Sequence, residues 1–308
     1  MQPLLEQIRP HLERNGYRAR TVSSEHIKKL QEGINKIHRQ GLFDEEFYQE
    51  RLTFFEFRPP ESLPQAKTLI IVAMPQPQAK VTFTFHGEPH HVILPPTYAS
   101  SEDRQVLKIL SEVLCTQGYS VVQAKLPVKS LAVHSGLGRY GRNNICYIPG
   151  MGSFHRLAAF YTNCELDEDN WQDFQVMQRC LKCQICLRSC PTGAISRDRF
   201  LVHAERCITF HNERSYAEFP AWIDESWHNC LVGCMRRVKW CQDWLPTSSL
   251  FKPSPCSRLT PEGARFHTAR WRQRLFPVEY FSMIHTSVIV KRHMPACQEH
   301  AGNSQDSS

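Results

Sequence analysis

The chain has 308 residues, of which 22% are charged, and a formal net charge of +7 at pH 7. Its 13 cysteines do not indicate a disulfide scaffold, because chains of that class are much shorter. The longest strongly apolar run, at 68–74, is about a third of the length that a bilayer requires, and residues 1–16 interrupt their apolar positions with Gln, Arg and Glu. We therefore expect a cytoplasmic protein without a membrane span. The modest positive charge would allow an anionic partner such as RNA to bind, but the need for solubility explains a charge of this size equally well.

The N-terminal region, residues 1–56, is predicted to be helical, because LLEQIRPHLERNG and EHIKKLQEGINKIHRQ both place apolar side chains at helical spacing. A Pro-rich loop then leads into TLIIVAMP at 68–75, an apolar run that favours a buried strand of the parallel type. In KVTFTFHGEPHHVILPP, apolar and polar residues alternate on both sides of residues 86–89, which predicts a β-hairpin.

The next stretch, SSEDRQVLKILSEVLCTQG, predicts a helix that begins at capping Ser and acidic residues and ends at Gly118. YSVVQAK and LAVHS are predicted to be strands, the second a weak one, and NNICYIPG is predicted to be strand and turn. This alternation through about residue 165 indicates an α+β fold class, with a domain of mixed helix and strand ahead of the cysteine-rich region.

The most specific motif is the run CLKCQICLRSCP, which holds four cysteines: Cys180, Cys183, Cys186 and Cys190. Its spacing, C-x2-C-x2-C-x3-C-P, is that of bacterial ferredoxins with two [4Fe–4S] clusters, in which three thiolates ligate one cluster and the fourth ligates the other. Zinc sites usually offer two separated C-x2-C pairs instead. Two such clusters need eight thiolates. The set is completed by the next four cysteines along the chain: Cys207, Cys230, Cys234 and Cys241.

The other five cysteines are predicted to be buried or idle thiols, with Cys256 as the one further candidate ligand. From Trp171 to Cys256 the composition turns to Cys, Trp and Arg, which indicates a small domain held together mainly by metal. We therefore expect four regions: a helical segment at 1–56, a cofactor-binding α/β domain at 57–168, a ferredoxin-like domain at 169–258 and an extension with a disordered tail at 259–308.

The second informative stretch is SGLGRYGRNN at 135–144, here called the glycine loop. Three of its glycines match G-x-G-x-x-G: Gly136, Gly138 and Gly141. A dinucleotide site would also need an acidic residue about twenty positions on, and no Asp or Glu occurs between 113 and 164. Two other interpretations are that tight turns require the glycines, or that their backbone lies against a large flat cofactor, with Gly150 and Gly152 as a second edge.

Taken together, SGLGRYGRNN, the following GSF and a cysteine run continued by PTGAI resemble the epoxyqueuosine reductase family, which is related to the corrinoid reductive dehalogenases. TLIIVAMPQP, LPPTY and NCLVGCM are similar as well, so the resemblance spans about residues 60–245. It implies a nitroreductase-like domain that holds base-off cobalamin, followed by a ferredoxin-like domain whose two clusters supply single electrons to cobalt. Reduced cobalt then attacks an electrophilic carbon, which in epoxyqueuosine reductase belongs to an epoxide on a modified tRNA base.

Carried onto this chain, the resemblance places the corrinoid against seven residues: Gly136, Gly138, Gly141, Arg142, Asn143, Gly152 and Ser153. In the tRNA-modifying enzyme an Asp shortly before the glycine loop is the expected proton donor, whereas the matching segment here, VVQAKLPVKSLAVH, has no carboxylate. We therefore expect a different general acid, with three candidates: His134, Tyr140 and Asp103.

The second departure from the family concerns the metal ligands. The family's closing motif is G-C-x2-C-x3-C-P, but here six residues separate Cys234 from Cys241, and Leu245 occupies the place of the last cysteine. The first cluster would then take its fourth thiolate from Cys230 or Cys256, or keep one iron open. Drift in a degenerate homologue is the alternative.

The sequence thus predicts an iron–sulfur oxidoreductase in which two [4Fe–4S] clusters serve a cobalamin, with a separate redox partner and a small-molecule or tRNA-borne substrate. A non-catalytic electron carrier with a docking domain is the alternative. A third is an RNA-binding protein with structural clusters, which rests on the charge and on ARWRQRLF at 269–276. Nothing in the sequence indicates the oligomeric state.

Overall fold

The computed structural model describes residues 4–228, except 77–78, 86–87, 95–100 and 215–216, together with 233–234. The N-terminal region contains the helices that its apolar spacing predicts: α1 (Leu4–Arg14), α2 (Ile27–Arg39) and α3 (Glu45–Arg51). It also contains a strand, β1 (Arg18–Ser23), which the helical prediction missed. Only Thr21 and Val22 of this strand are buried, so its apolar pattern is too short to be recognised.

A four-stranded sheet organises the described part of the chain. Its order is β1–β2–β8–β5, where β2 is Thr68–Pro75, β5 is Val121–Gln123 and β8 is His155–Thr162. Every neighbouring pair of strands is antiparallel. In the central pair, β2 and β8, the first residue of β2, Thr68, lies opposite the last residue of β8, Thr162. The prediction of a parallel-type strand at TLIIVAMP was therefore wrong in direction. The run is continuously apolar because both faces of β2 are covered, and that burial does not depend on strand direction.

Helices cover the two faces of the sheet. On one face, α1 and α4 (Ser101–Leu114) enclose a cluster that includes Ile8, Leu110, Ile70 and Phe160. On the other face, α2 and α5 (Val128–His134) enclose a cluster that includes Leu30, Leu131, Ile71 and Tyr161. Neighbouring residues of β2 point to opposite faces, as the pleat requires, so one strand supplies both clusters. This places α5 and the glycine loop on the α2 face.

Several local predictions are confirmed. The hairpin is formed by β3 (Ala79–Phe85) and β4 (Glu88–Leu94), and the helix α4 leads to Gly118, which has the left-handed φ of +80°. LAVHS, by contrast, lies in α5 and is not a strand. Its short apolar run has no periodicity that separates strand from helix.

After β8 the chain leaves the sheet and contains only short helices in its described part. They are α6 (Gln178–Lys182), α7 (Ile185–Ser189) and α8 (Ile208–Asn212). No helix in the described ranges is long and apolar enough to cross a membrane.

A candidate redox site at the glycine loop and the cysteine run

The glycines of the loop are required by contacts within the chain. The loop connects α5 to a small pair of strands, β6 (Arg139–Tyr140) and β7 (Cys146–Tyr147). A Cβ on Gly138 would lie 2.6 Å from the Cys146 Sγ and 2.7 Å from the Ile148 Cδ1. A Cβ on Gly141 would lie 2.7 Å from both Asn143 and Tyr147. Internal packing therefore explains glycine at 138 and 141, and clearance for a flat cofactor is not needed to explain either.

The loop is hydrogen-bonded to the segment that leads into the cysteine run. The Tyr140 N–H donates to the Gln175 carbonyl at 3.0 Å, and the Met177 N–H donates to the Tyr140 carbonyl at 2.9 Å. Nearer α5, the Gln172 N–H donates to the His134 carbonyl at 2.7 Å. Residues 172–177 thus run alongside the glycine loop, and α6 with its first cysteine follows directly.

Arg142 makes a second connection between the loop and the cysteine region. Its side chain is buried, and Nη1 donates to the carbonyls of Ser196 at 3.0 Å and Arg197 at 3.1 Å. The guanidinium also lies 4.2 Å from the ring centre of Phe200. The Arg142 Nε also donates to the Cys180 carbonyl at 3.4 Å, so Nη1 and Nε are both engaged within the chain and Arg142 has a structural role.

Replacing Arg142 with lysine should lower the free energy of unfolding by about 2 kcal/mol, because one ammonium group cannot replace the hydrogen bonds of both Nη1 and Nε and also lie flat against Phe200. The check is urea unfolding of Arg142→Lys beside Arg139→Lys, a control at an exposed position of the same loop. Equal midpoints for the two variants would contradict this role.

The cysteine run folds as two short helices. Cys180 lies in α6 and Cys183 directly follows it, while Cys186 lies in α7 and Cys190 directly follows that helix. The first three thiols are half-buried and Cys190 is buried. All four are soft thiol donors that lie close together along the sequence, and such thiols are the type of donor that a [4Fe–4S] cluster requires.

Two of the four later cysteines are also described. Cys207 lies between a 3₁₀ turn and α8, and Cys234 follows Gly233, whose carbonyl accepts a 2.9 Å hydrogen bond from the Asn212 side chain of α8. In the described ranges, no three His, Cys, Asp or Glu side chains converge as a single metal ion would require. Four positions lie outside the described residues: Cys230, Cys241, Leu245 and Cys256.

The three candidate proton donors are not all near the loop. The His134 Nδ1 donates to the Gln172 carbonyl at 2.8 Å, and its ring stacks on Trp171 with centroids 4.3 Å apart. The Tyr140 hydroxyl donates to the Asn144 side chain, and burial raises the pKa of Tyr140, so the phenol stays protonated. Both residues belong to the loop region.

Asp103 lies elsewhere. It is on α4, on the opposite face of the sheet, and its carboxylate is held by Arg156 at 2.5 and 2.6 Å and by Gln123 at 3.1 Å. The structure does not bring Asp103 to the glycine loop, and its contacts give it a structural role there.

Sequence reasoning missed His155, the first residue of β8. Its side chain is 4% exposed, and burial lowers the pKa of His155 to about 4, against the opposing effect of a hydrogen bond to the Gly152 backbone. Three buried polar atoms at the two predicted edges of the cofactor site have no hydrogen-bond partner among the described residues: Asn143 Oδ1, Ser153 Oγ and His155 Nδ1. They are the features of this structure that fit a polar ligand. The sequence feature that could have indicated His155 is its position, because it is a polar residue at the start of an apolar strand and directly follows GSF.

His155 should make the protein acid-sensitive. Because its folded pKa lies below the unfolded value of about 6.5, the unfolded chain binds the proton first, and stability falls as pH falls from about 6.5 to about 4. Between pH 7 and pH 5 the His155 imidazole should lower the free energy of unfolding by about 2 kcal/mol. His155→Phe should abolish that difference in urea unfolding, whereas His11→Gln, at an exposed position of α1, should keep it. Equal pH dependence in wild type and His155→Phe would show that His155 is not responsible.

Two cavities of about 480 and 490 Å3 adjoin the glycine loop and share Arg20 and Gly136. Polar side chains line the second cavity, where Arg20 and Arg139 supply positive charge. This side of the loop therefore suits an anionic ligand.

Fold and site together define a class of protein. It is a chain of mixed helix and sheet in which a glycine loop is hydrogen-bonded to the segment before a cysteine run with the spacing of iron–sulfur ligands. No family model matches the chain. An epoxyqueuosine reductase from Cyclobacterium marinum is 25% identical over 221 residues, which is 71% of this chain and 64% of that protein. Another, from Francisella cf. novicida, is 25% identical over 162 residues, or 51% and 42%. A tetrachloroethene reductive dehalogenase from Desulfitobacterium hafniense is 34% identical over 117 residues, or 34% and 21%.

Solved structures agree on the fold. A selenomethionine-labelled epoxyqueuosine reductase matches with a TM-score of 0.59 at 18% identity, covering 90% of this chain and 70% of that one. Epoxyqueuosine reductase with an epoxyqueuosine-modified tRNA-Tyr stem loop matches with a TM-score of 0.57 at 19% identity, covering 78% and 64%. The chain is a homologue of epoxyqueuosine reductases, as the resemblance predicted, with further similarity to reductive dehalogenases. The match covers 64% and 42% of the length of the two curated reductases named above.

Proposed function

We propose that this protein is an iron–sulfur oxidoreductase resembling epoxyqueuosine reductase. Two [4Fe–4S] clusters in a ferredoxin-like region, 169–258, would serve a cobalamin in a nitroreductase-like region, 57–168. The observation that carries the proposal is the pairing of the glycine loop with residues 172–177, because it sets the predicted cofactor loop directly beside the cysteine run. Electron transfer needs such proximity.

The ligands follow from the motif. Cys180, Cys183 and Cys186 would hold one cluster and Cys190 would contribute to the other. The remaining thiolates would come from four cysteines: Cys207, Cys230, Cys234 and Cys241.

Cobalamin, when bound, would supply a strongly reducing cobalt centre for chemistry at an electrophilic carbon. The chain's own part is to bind and orient it, and the unpartnered atoms of Asn143, Ser153 and His155 are suited to the amide-bearing edge of a corrin. The His155 Nδ1, if the other ring nitrogen donates to Gly152, is an acceptor for an amide N–H. Gly136 and Gly152 supply the surrounding backbone, each with a left-handed φ.

Tyr140 is the proton donor that the geometry favours. Its phenol is neutral and half-buried, and the side chain of Asn144, which has a left-handed φ of +65°, accepts its hydrogen bond. The Asn144 carbonyl also accepts a 3.1 Å hydrogen bond from the Lys129 ammonium. His134 is the second candidate, because it also lies beside the loop.

Anaerobic titration of the reconstituted protein with cobalamin, followed by absorbance, tests the proposal. We expect saturation at one cobalamin per chain with the spectrum of the base-off form. Full iron content without any spectral change would overturn the cobalamin reductase and leave the electron carrier.

We further propose that the substrate is carried on RNA. The support is the relationship to tRNA-modifying reductases and the positive charge of Arg20 and Arg139 beside the loop. An Arg20→Gln, Arg139→Gln double variant should bind an RNA stem loop about tenfold more weakly at low salt and with a shallower salt dependence. Arg104→Gln with Lys108→Gln, on α4 at the opposite face, should match wild type. Equal affinity of both double variants would contradict an RNA site here.

A further inference from the structure

The surface over the first three cluster cysteines has an unusual composition. Leu181 lies between Cys180 and Cys183 and is 56% exposed, which is high for a large apolar side chain. Three exposed basic side chains lie on the same two short helices: Arg179, Lys182 and Arg188. An apolar centre with a charged surround is the composition of a protein-docking surface.

The charge of this surface is one-sided. Residues 178–199 contain five Lys or Arg and one acidic residue, Asp198. A partner that fits must therefore be acidic. The chain's own residues 235–308 do not fit, because they carry 11 Lys or Arg against five Asp or Glu.

We propose that this face docks a small acidic one-electron carrier protein, of the flavodoxin or ferredoxin class, which delivers electrons to the cluster held by Cys180, Cys183 and Cys186. The inference rests on the proposed function and identifies its redox partner. In each encounter the carrier is oxidised by one electron and the cluster is reduced by the same electron, with no bond made or broken. Cys180 and Cys183 lie on either side of Leu181 in the sequence and are half-buried, so a cluster that they held would lie close to this surface. Charge attraction raises the rate of encounter and makes it depend on salt.

The test is anaerobic stopped-flow bleaching of the iron–sulfur absorbance by reduced flavodoxin, with dithionite as a small reductant that needs no docking surface. The variant is Arg179→Glu with Lys182→Glu, and the matched control is Arg104→Glu with Lys108→Glu, an exposed pair on α4. We expect the flavodoxin rate constant of the first variant to fall at least about tenfold at low salt and to lose its salt dependence. The control and all dithionite rates should match wild type. If the glutamate variant does not retain its iron, Arg179→Gln with Lys182→Gln takes its place.

Wild-type flavodoxin rates in the first variant, with normal dithionite bleaching, would overturn the docking surface and leave the clusters intact. Absence of bleaching by dithionite in every protein would instead overturn the proposed function, and the docking surface with it. RNA or anionic vesicles whose binding is lost in the Arg179→Glu, Lys182→Glu variant, while its flavodoxin rate stays at the wild-type value, would assign this positive charge to another partner and also overturn the proposal.

Discussion

Replacing Cys186 with alanine should remove about half of the iron from the reconstituted protein, from about eight irons per chain to about four. Cys186 is the third of three thiolates that the motif assigns to one cluster, and a cubane that loses a ligand from this tight loop is not retained. The second cluster takes only Cys190 from the run and should survive. Because ligation and folding are coupled, residues near α6 and α7 should also become more sensitive to proteases.

Iron and sulfide content per chain is the measurement, with Cys115→Ala as the matched control. Cys115 is a half-buried cysteine outside both predicted ligand sets, so its loss should leave eight irons. Unchanged iron in Cys186→Ala would contradict the ligand assignment, and loss of all iron would show that the two clusters do not assemble independently.

A second large effect is expected at Gly138. A Cβ there meets the Cys146 Sγ, the Ile148 Cδ1 and, at 3.0 Å, the Tyr147 carbonyl, and backbone cannot move aside cheaply. Gly138→Ala should therefore lower the free energy of unfolding by about 1–3 kcal/mol, as overpacking of a core does. A glycine substitution here cannot separate a cobalamin reductase from an electron carrier, because it damages the loop in either case.

Ser153→Ala is the variant that separates them. The buried Ser153 hydroxyl has no partner among the described residues, so its removal should cost no stability. If the hydroxyl binds the corrinoid, the same change should weaken cobalamin binding about fivefold to tenfold. Urea unfolding and cobalamin titration of both variants give the comparison. Wild-type stability in Gly138→Ala would contradict the packing role of this glycine. Wild-type cobalamin affinity in Ser153→Ala would contradict a corrinoid contact at the Ser153 hydroxyl.

Local features of the fold were predictable where one short stretch decides them. The cap at Gly118 and the hairpin β3–β4 depend on neighbouring residues, and both are confirmed. The direction of β2 was not predictable, because its apolar run records burial on two faces and says nothing of the strands beside it. Strand β1 was missed since its edge position leaves only two of its six residues, Thr21 and Val22, buried.

The site divides in the same way. The cysteine spacing is a local property and indicated a cluster directly. The roles of Gly138 and Arg142 depend on contacts with β7 and with residues 196–200, so a sequence shows neither. Asp103 appeared available as an acid, but a bidentate partner on β8 occupies it. His155 has its low pKa through burial, which is a property of the folded chain.

The central claim is that one chain holds two [4Fe–4S] clusters beside a cobalamin. It is tested most directly by the ratio of iron, acid-labile sulfide and cobalamin in protein reconstituted and purified anaerobically. We predict about eight irons, about eight sulfides and one cobalamin per chain. Four irons or fewer, or eight irons with no cobalamin retained, would contradict it.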